Sequence, residues 1–161
     1  MRDSGGAAAA NAPLRVPNPA FDAVVREALL AMPFARLLGL TVSELSPGCA
    51  ELWVPARADL QQGDGFFQAG VIGAVADFAG GAAAATLLEP GWALVTADYT
   101  VKIVSPGTGD RLLGRGEVVQ SGQSLVVSRA QVFSSREGRE RLCAVALVTT
   151  KAFEPRRRAP R

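Results

Sequence analysis

The chain has 161 residues, 48% of them hydrophobic and 20% charged, which suits one domain with a sizeable core and is too apolar for disorder to dominate. It contains no histidine, excluding Ser-His-Asp and Cys-His nucleophilic catalysis, histidine-ligated metals and a histidine general base, so any acid or base must be a carboxylate, Lys, Tyr, Cys or water. The formal charge of +2 comes from the C-terminal end: residues 1–150 hold 12 of the 17 basic and 14 of the 15 acidic groups, and the basic tail reads as a solvated end rather than a nucleic-acid arm.

Residues 1–18 are rich in small residues and proline and lack the continuous apolar run of a signal peptide, so a disordered leader is expected there. A single domain then spans 19–153, followed by a disordered basic tail over 154–161. From Asn18-Pro19, a cap and an N1 proline, the apolar residues Phe21, Val24, Val25, Ala28 and Leu29 recur at helical spacing and predict one amphipathic helix interrupted near Pro33. The period then changes to two. Leu40–Ser46 and Cys49–Ala56 flank a Ser-Pro-Gly turn and predict a hairpin.

A polar loop, RADLQQGDG, leads into GFFQAGVIGAVADFAGG, and Ala69–Leu88 is expected to be a long helix. It is nearly long enough for a membrane span, but it is rich in Gly and Ala, has no Lys or Arg at either end and carries Asp77 at its centre. A buried helix is the better reading, with Gly70, Gly73, Gly80 and Gly81 as small surfaces over which strands approach closely. Four strand-like runs follow, WALVTADYTVKIV, RLLGRGEVVQ, SLVVSRAQVFS and RLCAVALVTTK, separated by SPGTGD, SGQ and SREGRE. In the first of them alternation puts Thr96, Asp98, Thr100 and Lys102 on one face and Val95, Ala97, Tyr99, Val101 and Ile103 on the other. The order predicts an α+β domain in which a curved antiparallel sheet wraps one apolar helix.

Asp77 is the residue that demands a reason, since a buried carboxylate costs several kcal/mol unless paired or hydrogen-bonded. Cys49 and Cys143 sit beside apolar neighbours in strand runs, form no metal or disulfide pattern and read as small buried hydrophobes in a reducing, cytoplasmic protein. Arg111, Arg115, Arg129 and Lys102 suit phosphate groups chemically, but no phosphate cradle accompanies them and a surface role is favoured for each.

QQGDGFFQAGVIGAVADFAGG followed by TADYTVKIVSP resembles the motif region of hotdog-fold acyl-CoA thioesterases of the PaaI type, a resemblance that covers roughly residues 40–153. It implies a hotdog fold, hydrolysis of acyl-CoA without metal or organic cofactor, and a site at a dimer interface, with a tetramer as a further assembly. Gln62 falls on the family's amide position and Gly65 on its loop glycine. Ala69 falls on the glycine whose N–H polarises the thioester carbonyl, Asp77 on the catalytic carboxylate, and Thr96 on a strand position that holds a hydroxyl. Gln68 stands where the family has His, and Ala69 where it has Gly. Gln68, Gly70, Phe66, Phe67 and the turn residues Gly122 and Ser124 are the implied substrate contacts, with core packing the equal alternative for the two phenylalanines.

The chemistry has its own support. A helix N-terminus offers unpaired N–H groups and partial positive charge to an oxyanion, and Ala keeps such an N–H unless a positive φ is required. Asp77 lies eight residues beyond Ala69, roughly 12 Å along a helix. One thioester cannot touch both, so if both groups act on one carbonyl they must come from two subunits. Asp77 would act as nucleophile or as general base on water. A non-catalytic acyl-CoA-binding hotdog protein is the alternative; a hotdog dehydratase is opposed by the absence of histidine.

Overall fold

The computed structural model describes residues 14–155; the expected leader up to residue 13 and the basic tail from residue 156 lie outside them. Residues 14–18 carry no helix or strand, and Arg15 reaches Glu89 at 3.3 Å. Helix α1 spans Phe21–Ala31, two residues later than the Asn-Pro signal suggests. Asn18 caps a preceding turn instead, its side-chain oxygen accepting from the Ala20 N–H at 3.0 Å, and Pro19 sits within that turn. Pro33 opens a separate helix, α2 (Pro33–Leu38), because Met32 before it is held extended at φ −66°, ψ 128°.

The hairpin follows as β1 (Thr41–Ser46) and β2 (Cys49–Pro55), and a short 3-10 turn over 58–60 leads to α3 (Ala69–Ala85). The remaining strands are β3 (Ala93–Ile103), β4 (Arg111–Ser121), β5 (Leu125–Arg136) and β6 (Arg139–Phe153). SREGRE is mostly strand rather than loop: β5 and β6 close through Glu137 and Gly138, both at positive φ, the geometry that matches strand twist in a two-residue hairpin. No helix among the described residues is long and apolar enough to cross a membrane.

All six strands join one antiparallel sheet in the order β1-β2-β4-β5-β6-β3. Helix α3 carries the chain across the concave face, so β3 lands at the far edge beside β6, and β4 returns to pair with β2. The core lies between them, with Ile72, Val75, Ala76, Ala79 and Ala83 of α3 buried against Leu52, Val54, Leu112, Val132 and Val148 of the sheet. Thr86 ties the helix end to the first hairpin: its buried hydroxyl donates to the Ala83 carbonyl at 2.7 Å and accepts from the Gly48 N–H at 2.8 Å.

The small residues work differently from the sequence expectation. Gly80 does face a strand closely, a Cβ there meeting the Val148 side chain at 2.7 Å. Gly73 meets Tyr99 only at ordinary contact, Gly70 faces the Gln68 side chain, and Gly81 faces open space. The tightest approach comes from the sheet: a Cβ on Gly116 would stand 2.0 Å from the Ala79 carbonyl oxygen, and one on Gly114 would meet Val75 at 2.8 Å. Gly116→Ala should therefore cost about 3 kcal/mol or more in a denaturant titration. Gly63→Ala, in a loop with nothing within 4 Å, should stay within about 0.5 kcal/mol of wild type.

Candidate active site

Asp77 projects from the middle of α3, half-buried, and the Thr96 hydroxyl of β3 donates to its Oδ1 at 2.7 Å. Regular alternation would have pointed Thr96 away from the helix with Asp98 and Thr100. The strand instead carries a β-bulge: Thr96 pairs with Thr150 and Asp98 with Thr149, leaving Ala97 as the extra residue. The inward series of β6, Thr150, Val148 and Ala146, is thereby matched to Thr96, Tyr99 and Val101. This corrects the grouping by simple alternation: Thr96 shares its face with Tyr99 and Val101, not with Asp98, Thr100 and Lys102. A bulge that re-aims one side chain is a recurrent device beside functional groups.

Burial pushes the Asp77 carboxyl above its ordinary value, and the Thr96 hydrogen bond pulls it part of the way back. The carboxylate is therefore a stronger base than a solvated one, yet held by a single donor. It opens on an apolar cavity of about 370 Å³ walled by α1, α3, β3 and Trp92 of the connecting loop. The residues of α1 and Trp92 escaped the sequence reading. Gly81 was assigned to strand packing rather than to the site, although its place four residues after Asp77 puts it on the same helix face.

The start of α3 builds a second cluster. The Gln62 N–H donates to the Phe66 carbonyl at 2.8 Å and the Gly65 N–H to the Gln62 carbonyl at 3.1 Å, closing a compact loop in which Gly65 has φ 75°. Gln62, Phe66, Phe67 and Ala69 line one open slot of about 470 Å³. Phe67 is also core, 3% exposed. Gln68 is the N-cap of α3, its side-chain oxygen accepting from the Gly70 N–H, and its backbone carbonyl accepts from Val71 and Ile72. Among the described residues, no protein group accepts from the Ala69 N–H. Ala69 is the first helical residue and has no positive φ, so it meets no strain where the resembled family has glycine.

Within one chain these two clusters stay apart, eight residues along α3. Gly122 belongs to neither, lining a cavity of about 630 Å³ with Arg15 and Ser121 that adjoins the Asp77 cavity at Trp92. Ser124 lies in the same turn, its carbonyl accepting from the Ala152 N–H at 2.9 Å.

Three of the basic residues weighed for phosphate binding are engaged elsewhere. Arg115 donates to Glu51 at 2.8 Å and to Glu140 at 2.7 Å, Arg129 pairs with Glu117 at 2.5 Å, and Arg111 lies over the Trp53 ring at 5.7 Å. Burial pushes the Cys143 thiol up to about 11, which removes it as a nucleophile near neutral pH. No group of three metal-ligating side chains converges among the described residues.

The profile of the thioesterase superfamily matches residues 65–140, the segment from the Gly65 loop through the β5–β6 turn to the start of β6. Among solved structures, a thioesterase family protein from Silicibacter pomeroyi is 34% identical with a TM-score of 0.81, the match covering 84% of this chain and 99% of that one. A thioesterase from Haemophilus influenzae is 20% identical over 88% of this chain and 95% of its own, with a TM-score of 0.74. A phenylacetic acid degradation-related protein from Ralstonia eutropha is 22% identical over 81% of this chain and 98% of its own, with a TM-score of 0.70. The last two, at such identities, carry the fold alone. No curated protein matches the chain in sequence.

A carboxyl whose pKa is raised by folding binds its proton more tightly in the native state than in the unfolded one. The penalty on the fold therefore grows as pH rises from the unfolded value to the native one, is complete above the native value, and vanishes below the unfolded value. Asp77→Asn should raise Tm at neutral pH, and the gain should shrink to nothing as thermal melts are repeated at progressively lower pH.

Proposed function

Because the chain belongs to the thioesterase superfamily and has its hotdog fold, we propose that it hydrolyses acyl-coenzyme A thioesters at a site shared by two copies. Asp77 of one subunit attacks, or activates water against, a carbonyl polarised by the Ala69 N–H of the other. The observation that carries this reading is the Thr96–Asp77 hydrogen bond at the mouth of an apolar cavity. A desolvated carboxylate with one hydroxyl donor keeps its basicity and a fixed direction of approach.

The division of labour follows from helix geometry. The uncommitted Ala69 N–H and the Asp77 carboxylate lie roughly 12 Å apart on one helix, too far to meet on one thioester. Strand β3 supports association: it is an 11-residue edge strand with Val95, Tyr99 and Ile103 exposed, and a long apolar edge invites pairing with another strand. A second copy joined there continues the sheet and brings the start of its α3 toward Asp77.

Two routes give the same balance. In one, the Asp77 carboxylate adds to the carbonyl carbon, the C–S bond breaks, the thiolate leaves and is protonated, and water cleaves the resulting anhydride. In the other, Asp77 takes a proton from water as its oxygen adds to the carbonyl, and the same C–S bond breaks. Both yield a carboxylic acid and free coenzyme A. In both the carbonyl oxygen becomes an oxyanion that the Ala69 N–H and the dipole of α3 stabilise. Gln68 contributes by occupying the Gly70 N–H, so the Ala69 donor stands alone at the helix start.

Thiol release from a panel of acyl-CoAs tests the reading. Asp77→Asn should abolish turnover, and Ala69→Pro, which deletes the N–H at a position where proline suits a helix, should lower kcat about a hundredfold or more. Thr96→Val should move the acid limb of the pH–rate profile to higher pH. Dimers formed from a mixture of Asp77→Asn and Ala69→Pro chains should recover about a quarter of wild-type turnover, since only a mixed dimer holds one intact site. No recovery would place the two groups in one chain and defeat the shared site, and tight binding with no thiol release by the wild type would leave a binding protein.

A further inference from the structure

We propose that the acyl group of the substrate enters the cavity beneath Asp77, and that Gly81 sets how long a chain it admits. This rests on the hydrolysis reading for its choice of ligand, but its physical basis is separate. The cavity is walled by Phe21, Val24, Ala28, Phe78, Ala85 and Leu94. Its lining includes Asp77 and Glu89 but no Lys or Arg. The cation nearest this lining, Arg15, is already paired with Glu89 at 3.3 Å, so a nucleotide phosphate finds no free positive charge in the lining, whereas an uncharged hydrocarbon meets apolar walls, with its carbonyl end held at Asp77 and Thr96.

The two adjacent glycines of α3 divide their tasks. A Cβ on Gly80 would strike Val148 at 2.7 Å, so Gly80 serves the packing of helix on sheet; one on Gly81 meets nothing within 4 Å. Gly81 nonetheless lines the cavity, one helical turn and about 6 Å beyond Asp77. Its missing side chain is therefore cavity volume. Glycine in a helix interior loses conformational entropy on folding, and nothing in the packing around Gly81 requires it. A ligand that runs along the helix past this point gives it a use. Any larger residue would block the path one turn beyond the reacting carbonyl.

The test uses non-hydrolysable S-alkyl thioethers of coenzyme A, from ethyl to hexadecyl, titrated into the full chain by calorimetry, alongside thiol release from the matching acyl-CoAs. For wild type, affinity should rise about fourfold per methylene until the cavity is filled. Gly81→Leu should lower the ratio of long-chain to short-chain affinity by roughly tenfold or more. Gly81→Ala should give an intermediate ratio and a higher Tm, so it decides the question if the leucine variant fails to fold. A folded Gly81→Leu, or failing that Gly81→Ala, with the wild-type length profile would overturn the proposal, as would wild-type affinity that ignores chain length. Length-dependent binding without thiol release would remove the hydrolysis reading and keep this one. Thiol release without length dependence would do the reverse.

Discussion

Helix α3 rests on β4 with no side chain between them at Gly116, where the Ala79 carbonyl lies so close that a single methyl group would collide with it. Helices pack on sheets through an interdigitated layer of side chains in most α+β folds, and at this one point that layer is thinned to Ala79 and Gly80 on one side and Gly116 on the other. The consequences run outward from this contact. Because the central strand comes so near, the neighbouring strands must curve to reach the flanks of the helix. The far flank, where Asp77 and Gly81 point, is left for α1 and the edge strand to cover incompletely. The apolar cavity is the gap that remains.

Much of this was legible in the residues, for identifiable reasons. The change of period from three-to-four to two at Leu40, the turn chemistry of Ser46-Pro47-Gly48 and the length of the apolar helix are local properties, and each element formed within a few residues of its expected bounds. The split at Pro33 followed from proline's steric demand on Met32. SREGRE misled because charged residues read as loop, whereas a two-residue turn lets charged strands pair almost to their tips. The glycines of α3 drew attention, yet the tightest packing belonged to Gly114 and Gly116, since nothing local reveals which strand a helix will lie on.

Asp77 announced itself by its apolar surroundings, and Ala69 by its place at a helix start, so half of the candidate site needed only elementary chemistry. Thr96 did not. Alternation grouped it with Asp98, Thr100 and Lys102, and only the resemblance singled it out; the bulge that separates it from them depends on how β3 registers against β6, a long-range property. The walls of the cavity were hidden for the same reason. Phe21 and Val24 look like ordinary core positions of an amphipathic helix, and only the tertiary arrangement turns part of that face toward Asp77.

The bulge at Ala97 carries an implication for how such a site is kept or lost. The hydrogen bond from Thr96 depends less on which residues flank it than on how β3 registers against β6. A strand that kept Ala97 but paired regularly back from Asp98, with no bulge, would leave every site side chain in the sequence and still pair with β6, but would set Thr96 opposite Lys151 on the outer face. Chains that share all the motif residues, at the same spacing, can thus differ in function through strand register alone, and a comparison that counts matching residues without asking how the strands pair would not see it.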